Sequence, residues 1–249
     1  MDVVATSSRG FGSTEEFNLE SLLPRGTRVY AESGGKLKGL TQAAISMTPP
    51  PYRQKRRTHV YFVCCVPDIT ELLKSETPKV YKYRETIFVE NPELAIDRVA
   101  SLLRESQRDI LKHGALPIYA TIPLANLEIY NNYCLRKKKT SILYHTAHYE
   151  EMQTNLDTVI IRINKIITEL NKSVGASTPF LHDTLRESRG RKKRRYSVNK
   201  WDRLRDGLHA GNSLMLKWAE SLENCFKLND AREEVEEVED RSHKRSRTC

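Results

Sequence analysis

Short apolar runs alternate along this chain with longer stretches of helical period. Asp2 to Ser8 opens with Val3-Val4-Ala5 and ends in Thr6-Ser7-Ser8, which predicts a short buried strand. Thr27 to Ala31 predicts a second. Thr58 to Val66, with His59-Val60-Tyr61-Phe62-Val63-Cys64-Cys65 inside it, is the most apolar run of all. A continuous run rich in β-branched and aromatic residues predicts a central parallel strand buried on both faces. Leu116 to Ile122 predicts a further strand, closed by Pro123. Thr178 to Leu181 fits either a last short strand or an extended segment. Residues 79–90 alternate too weakly to separate strand, hairpin and loop.

The stretches between these runs carry helical stripes. Leu37, Leu40, Ala44 and Ile45 form one. Asn91-Pro92-Glu93 is a helix start, with Asn as cap and Pro at the first helical position. Leu94, Val99, Leu102, Leu103, Ile110 and Leu111 follow it, and Gly114 ends the helix. Leu156, Val159, Ile160, Ile163, Ile166, Ile167 and Leu170 predict a long helix from about Glu150 to Lys172. A last helix, capped near Asn212, carries Leu214, Trp218, Leu222, Cys225 and Phe226.

Strands alternating with helices argue for an α/β fold, a mostly parallel sheet covered by helices on both faces. One domain spans residues 1–228, interrupted by a Pro-rich basic loop at 48–57 and a basic loop at 186–200. From Asp230 the apolar pattern fails, and residues 229–249, acidic and then basic, read as a disordered charged tail. In folds of this class ligands sit at the carboxyl ends of the strands. Ser8, Gly34, Gly35 and Pro67 all fall at predicted strand ends.

Composition adds a partner class and a compartment. The 249 residues carry a formal charge of +9, a pI near 9.3 and a mean hydropathy of -0.58. The basic residues come in three clusters: Arg53, Lys55, Arg56 and Arg57; Arg136 with Lys137, Lys138 and Lys139; and Arg189 with Arg191, Lys192, Lys193, Arg194 and Arg195. Such clusters neutralise phosphates, which makes nucleic acid a candidate partner. The third cluster and Lys244 to Arg247 also have the charge density of nuclear localisation signals. No stretch approaches the roughly 20 apolar residues of a membrane span, and no secretory signal opens the chain. Five cysteines without metal-ligand spacing fit reduced thiols in an intracellular protein, cytoplasmic or nuclear. His145 and His148 read as a surface pair, so neither a metal nor another cofactor is expected.

The densest chemistry lies in Arg205-Asp206-Gly207-Leu208-His209, before the last helix. An Asp three residues before a His can fix the imidazole tautomer while the ring takes a proton from a nucleophile. The competing reading is a helix cap. Near the start of the chain, Ser7 and Ser8 lie between a strand and a glycine-containing turn, where a nucleophile or a bound anion would sit.

The order of these pieces resembles the SGNH, or GDSL-type, esterase and lipase family, over residues 2 to 228. That family has a three-layer α/β/α sandwich with a flavodoxin-like sheet and four motif blocks. The resemblance places Thr6-Ser7-Ser8 on the first block, with Ser8 at the nucleophile. Ser33-Gly34-Gly35 falls on the second, which gives a glycine N–H to the oxyanion hole. Cys65-Val66-Pro67-Asp68 falls on the third, Gly-x-Asn-Asp, and Asp206-Gly207-Leu208-His209 matches the fourth fully. It implies a serine esterase or acyl or acetyl hydrolase with Ser8, Asp206 and His209 as catalytic residues. The N–H groups of Ser8, Gly34 and Gly35 serve as oxyanion donors, and no cofactor is needed. Leu216-Lys217-Trp218-Ala219 also resembles domains of this kind in mobile-element and viral reading frames.

Two blocks depart from the pattern. Pro67 stands where the family has an Asn and donates from neither side chain nor backbone. Thr6-Ser7 replaces the Gly-Asp before the serine. Two readings therefore stay open at this point: a serine hydrolase, working or degenerate, and a non-catalytic nucleic-acid-binding protein on the same fold.

Overall fold

A computed structural model describes residues 1–7, 16, 18–54, 56–64, 66–74, 84–88, 90–138, 146–189 and 196–246. In chain order the strands are β1 (Asp2–Ser7), β2 (Arg28–Glu32), β3 (Thr58–Val63), β4 (Glu71–Lys74), β5 (Arg84–Ile87), β6 (Ala115–Tyr119), β7 (Arg186–Arg189) and β8 (Tyr196–Asn199). The helices are α1 (Leu19–Leu22), α2 (Leu37–Met47), α3 (Val66–Ile69), α4 (Pro92–Lys112), α5 (Leu127–Lys138), α6 (Thr146–Ser173) and α7 (Asn212–Ser246). Asn91 caps α4 as expected, accepting from the Glu93 N–H at 2.9 Å. Gly114 follows that helix with a φ of 75°.

β2, β1, β3 and β6 form one parallel sheet in that order. All six residues of β3 are buried, as the continuous apolar run predicts for an inner parallel strand. Its side chains sort by parity. Phe62 stacks on Tyr119 of β6, whose hydroxyl donates to the Leu103 carbonyl of α4. Tyr61, on the opposite face, packs against Phe226 of α7 at 4.5 Å between ring centroids. Helices α2 and α4 therefore cover one face and α7 the other, a three-layer α/β/α sandwich.

The outer edge of β6 is closed without a ladder. The side-chain amide of Asn171, on α6, bonds both the N–H and the carbonyl of Tyr119, at 2.9 and 2.8 Å. Two turns earlier on the same face, Asn164 does the same for Ile122, at 2.6 and 2.9 Å. Between them the Thr121 N–H donates to the Pro179 carbonyl. Of the two alternatives for residues 178–181, the structure shows the extended segment. Two asparagines on the apolar face of α6 do for β6 what a neighbouring strand normally does.

Residues 79–90, left open between strand, hairpin and loop, include β5, which pairs antiparallel with β4. Two stretches differ from expectation. Within the basic loop at 186–200, β7 and β8 form an antiparallel pair. The segment expected to be a disordered tail continues α7 to Ser246. Its first turns are held by polar contacts, which an apolar pattern does not register. The Asn229 amide accepts from the Ser177 N–H and donates to the Tyr61 hydroxyl. Arg232 donates to the Gly175 carbonyl, and Arg56 pairs with Glu234 at 3.2 Å.

Replacing Asn171 by Leu keeps the volume but leaves a buried N–H and a buried carbonyl unpaired. At about 1–3 kcal/mol for each orphaned group, Asn171→Leu is expected to cost at least about 2 kcal/mol in urea unfolding. Unchanged stability would show that the edge does not depend on this amide.

Candidate functional site

The Asp-x-x-His segment is a closed loop between a short 3-10 turn at Trp201–Arg203 and α7. Leu204 and Ala210 form a bridge across its neck, and the Arg205 N–H donates to the His209 carbonyl at 2.8 Å. Gly207 at its tip has a φ of 87°. A Cβ there would lie 2.7 Å from both the Asn126 carbonyl and the Tyr130 nitrogen. Glycine is thus required twice over, for the backbone angle and for close approach to the start of α5. The Asn126 N–H donates back to the Gly207 carbonyl at 2.8 Å. Residues 120–126 leave β6 at its carboxyl end, so this contact fixes the loop beyond that end of the sheet.

Inside the loop Asp206 is buried, and its carboxylate accepts four contacts. The Leu208 and His209 N–H groups reach Oδ1 at 3.1 and 2.8 Å. His209 Nδ1 lies 2.8 Å from Oδ2 and 3.0 Å from Oδ1. Burial works against ionisation here. The His209 ring and the two N–H donors outweigh it and hold the Asp206 carboxyl below its usual range. An ionised Asp206 makes Nδ1 the protonated nitrogen and places the ring's lone pair on Nε2, the tautomer of a general base. Tyr130 flanks the imidazole at 5.9 Å between centroids.

The end of β1 and the turn holding Gly34 and Gly35 lie at the same rim. Ser7 closes β1 in register with Glu32, the last residue of β2. Ser7 is fully buried, out of a substrate's reach. Ser8 follows it and lies outside the described residues. Beyond Glu32 the chain turns through Gly34, with a φ of 70°, and the Gly35 N–H donates to the Glu32 carbonyl at 3.0 Å. The crossovers leave β1 in opposite directions, toward β2 on one side and β3 on the other. The carboxyl ends of β1 and β3 are therefore the switch point where parallel sheets take ligands.

Asp68 had no role assigned to it from the sequence. It is buried in α3, and both carboxylate oxygens face the Leu37 N–H at the start of α2, at 3.0 and 3.3 Å. It therefore ties the loop after β3 to the glycine loop after β2. The Asp68 carbonyl in turn accepts from Arg98, which pairs with Glu90. An acid that survives beside an altered donor position was the available signal. Burial pushes the Asp68 carboxyl up to about 6, against the lowering effect of the Leu37 N–H and of Lys36 and Arg98.

The GDSL-like lipase of Bacteroides thetaiotaomicron matches this architecture over 93% of this chain and 87% of its own, at 10% identity and a TM-score of 0.50. The fold is that of the SGNH/GDSL hydrolases. Two further solved structures align with the same SGNH fold. One is a protein from Slackia heliotrinireducens described as an SGNH hydrolase, at 13% identity, 90% and 97% coverage and a TM-score of 0.49. The other is the lipase/acylhydrolase of Enterococcus faecalis, at 11% identity, 90% and 93% coverage and a TM-score of 0.47. No protein-family model and no curated protein sequence matches the chain.

Nothing in the SGNH architecture or in these likenesses supports a nucleic-acid partner. Arg53, Arg56 and Arg57 are exposed, with Arg53 over the Tyr52 ring. Lys55, Lys139 and residues 191–195 lie outside the described residues, as do His145 and the side chains of Lys137, Lys138 and His148. Among the described residues, no helix is long and apolar enough to cross a membrane.

The raised Asp68 carboxyl has a measurable consequence. Below about pH 4 the group is protonated folded and unfolded alike. Between there and its folded value of about 6 the folded state holds the proton more tightly, so stability falls as pH rises. Above that window the buried charge costs about 3 kcal/mol. Asp68→Asn keeps an acceptor for the Leu37 N–H and removes the charge. It is expected to flatten this part of the stability curve and to exceed the parent protein in urea unfolding at pH 7.5. A variant weaker than the parent at that pH would mean that the ionised form is the stabilising one.

Proposed function

We propose that this chain is a serine ester hydrolase acting on small acyl or acetyl esters. The observation that carries the reading is the buried Asp206 bonded to His209 Nδ1 at 2.8 Å, on a loop held at the carboxyl end of an SGNH-type sheet. Ser8 Oγ attacks the ester carbonyl while His209 Nε2 takes its proton. The tetrahedral oxyanion is held by the backbone N–H groups of Ser8 and Gly34. The Gly35 N–H joins them only by leaving the Glu32 carbonyl. Collapse expels the alcohol, which receives the proton from His209. Water, activated by the same imidazole, then releases the acid and restores Ser8.

Pro67 supplies no side-chain donor where the family has Asn. Loss of one oxyanion donor costs ~10²–10³ in turnover, so a slow enzyme is expected. Beside the catalytic loop lies a recess of about 410 Å³ that shares Asn126 with it and presents Glu128, Glu150 and Asp157. Three carboxylates there favour a neutral or cationic substrate over an anionic one.

Neutral short-chain aryl esters are the direct assay. Ser8→Ala and His209→Ala are each expected to lower kcat by ~10³ or more. Asp206→Asn is expected to lower it by a comparable factor with little change in KM, because it favours the wrong tautomer. Turnover that survives both Ser8→Ala and His209→Ala would reject the assignment.

A further inference from the structure

At the opposite rim of the sheet, where the strands begin, His59 of β3 is fully buried. Three carboxylates from two other elements surround its ring. Nε2 lies 3.0 Å from Glu233 Oε1 of α7, within hydrogen-bond reach. Nδ1 lies 3.5 Å from Asp2 Oδ1 on β1 and 3.7 Å from Asp230 Oδ1 on α7. Of the other neighbours, Leu116 on β6 is apolar. Tyr61 meets the ring edge-on, and burial keeps its hydroxyl protonated. Arg56, three residues before His59, is paired with Glu234.

A neutral imidazole does not fit this setting. With Nε2–H donated to Glu233, it would turn a bare lone pair at Nδ1 toward two carboxylates. Nδ1 and Asp2 Oδ1 are both buried and make no hydrogen bond, so two acceptors would face each other with no proton between them. A proton on Nδ1 turns that nitrogen into a donor and sets one positive charge among three negative ones. Burial alone would lower the His59 pKa, but Asp2 and Glu233 outweigh it and raise it above the usual histidine value. The charge also has something to hold. From Asp230 to Val235, α7 has no buried side chain. Besides the cluster at His59, that stretch is tied down by the Arg232 bond to the Gly175 carbonyl and by the Arg56–Glu234 pair. The latter is exposed on both sides, and such pairs contribute little.

We propose that the His59 imidazolium is a proton-operated latch, which pins the end of α7 through Asp230 and Glu233 to the rim where β1 and β3 begin and releases it when the ring loses its proton. Loss of the proton leaves the three carboxylates facing one another around a neutral ring. The sign follows from linkage. A histidine whose pKa is raised in the latched chain gives its full hold below about pH 6.5, and the hold is lost as pH rises through the folded value. The latch lies across the sheet from His209 and does not depend on the hydrolase reading. Its parts are distant in sequence, so the sequence alone gives no sign of it.

The test pairs histidine NMR with backbone hydrogen exchange of the full chain, between about pH 5.5 and 9, a range that spans the histidine titration. At the acid end His59 is expected to carry a proton on both nitrogens, and its midpoint should lie above the ordinary 6.5. Protection of the amides from Asp230 onward, corrected for intrinsic exchange, should fall as pH rises. The fall should be about tenfold for each pH unit by which the His59 midpoint exceeds its ordinary value. Asp230 is half-exposed, so Asp230→Asn leaves the core intact. It should lower the His59 midpoint and shrink the loss of protection in the same proportion, and in His59→Gln the step should disappear. Asp68 also titrates, near pH 6, but alike in parent and variants, so their difference isolates His59. A His59 midpoint at or below 6.5, parental protection that holds across the whole range, or an undiminished step in Asp230→Asn would each overturn the proposal.

Discussion

The seating of α7 on the β3 face governs both rims of the sheet. Trp218 is buried and donates to Thr184 Oγ1 at 2.9 Å, Phe226 packs on Tyr61, and Asn229 bonds the Tyr61 hydroxyl. At 1.5 Å per residue the helix from Gly211 to Glu233 runs roughly 33 Å. The six-residue strand β3 covers roughly 20 Å. The helix therefore overreaches the strand at both ends. The loop before its first turn carries Asp206 and His209 beyond the carboxyl rim. Its sixth turn carries Asp230 and Glu233 to the rim where β1 and β3 begin. A shift of this helix on β3 would displace both groups of residues together.

Within the sheet, backbone groups are satisfied by neighbouring strands. At the rims and the outer edge that partner is missing, and buried polar side chains replace it. Asn171 and Asn164 serve β6 and its extension, Asp68 serves the start of α2, and Asp206 serves its own loop. A hydrogen bond of this kind contributes about 1 kcal/mol when made and costs more than that when one partner is lost. These bonds add to the apolar anchoring of the candidate loop, whose Leu204, Leu208 and Ala210 are buried in the core. One substitution at these positions therefore acts on geometry as well as on stability.

The strands and most helices were legible because their signals are local. Val3 to Ala5 and Thr58 to Val63 are continuous apolar runs, Asn91-Pro92 is a cap, and the α6 stripe keeps a helical period through seven residues. Asp206 and His209 were legible for the same reason: the whole pair lies within one four-residue loop. What was missed is long-range and polar. Asn164 and Asn171 look like interruptions of an apolar face until the open edge of β6 is seen. The extension of α7 past Asp230 rests on Asn229, Arg232 and Glu234, which bond partners 52 to 178 residues away. His59 reads as one more residue of a buried strand, because nothing near it in sequence reveals the acids around its ring.

The loop holding Asp206 separates what folding needs from what the proposed chemistry needs. The carboxylate already accepts the Leu208 and His209 N–H groups, and the Leu204–Ala210 bridge closes the neck. Those contacts complete a tight polar turn before a helix whatever side chain stands at position 209. The imidazole adds a further partner that the turn does not require. In adding it, the loop sets one tautomer, with the basic nitrogen directed away from the acid. A helix cap needs no tautomer, whereas a proton acceptor at a sheet's ligand-binding rim does. The redundancy of the ring to the turn is thus the structural argument for reading His209 as a base.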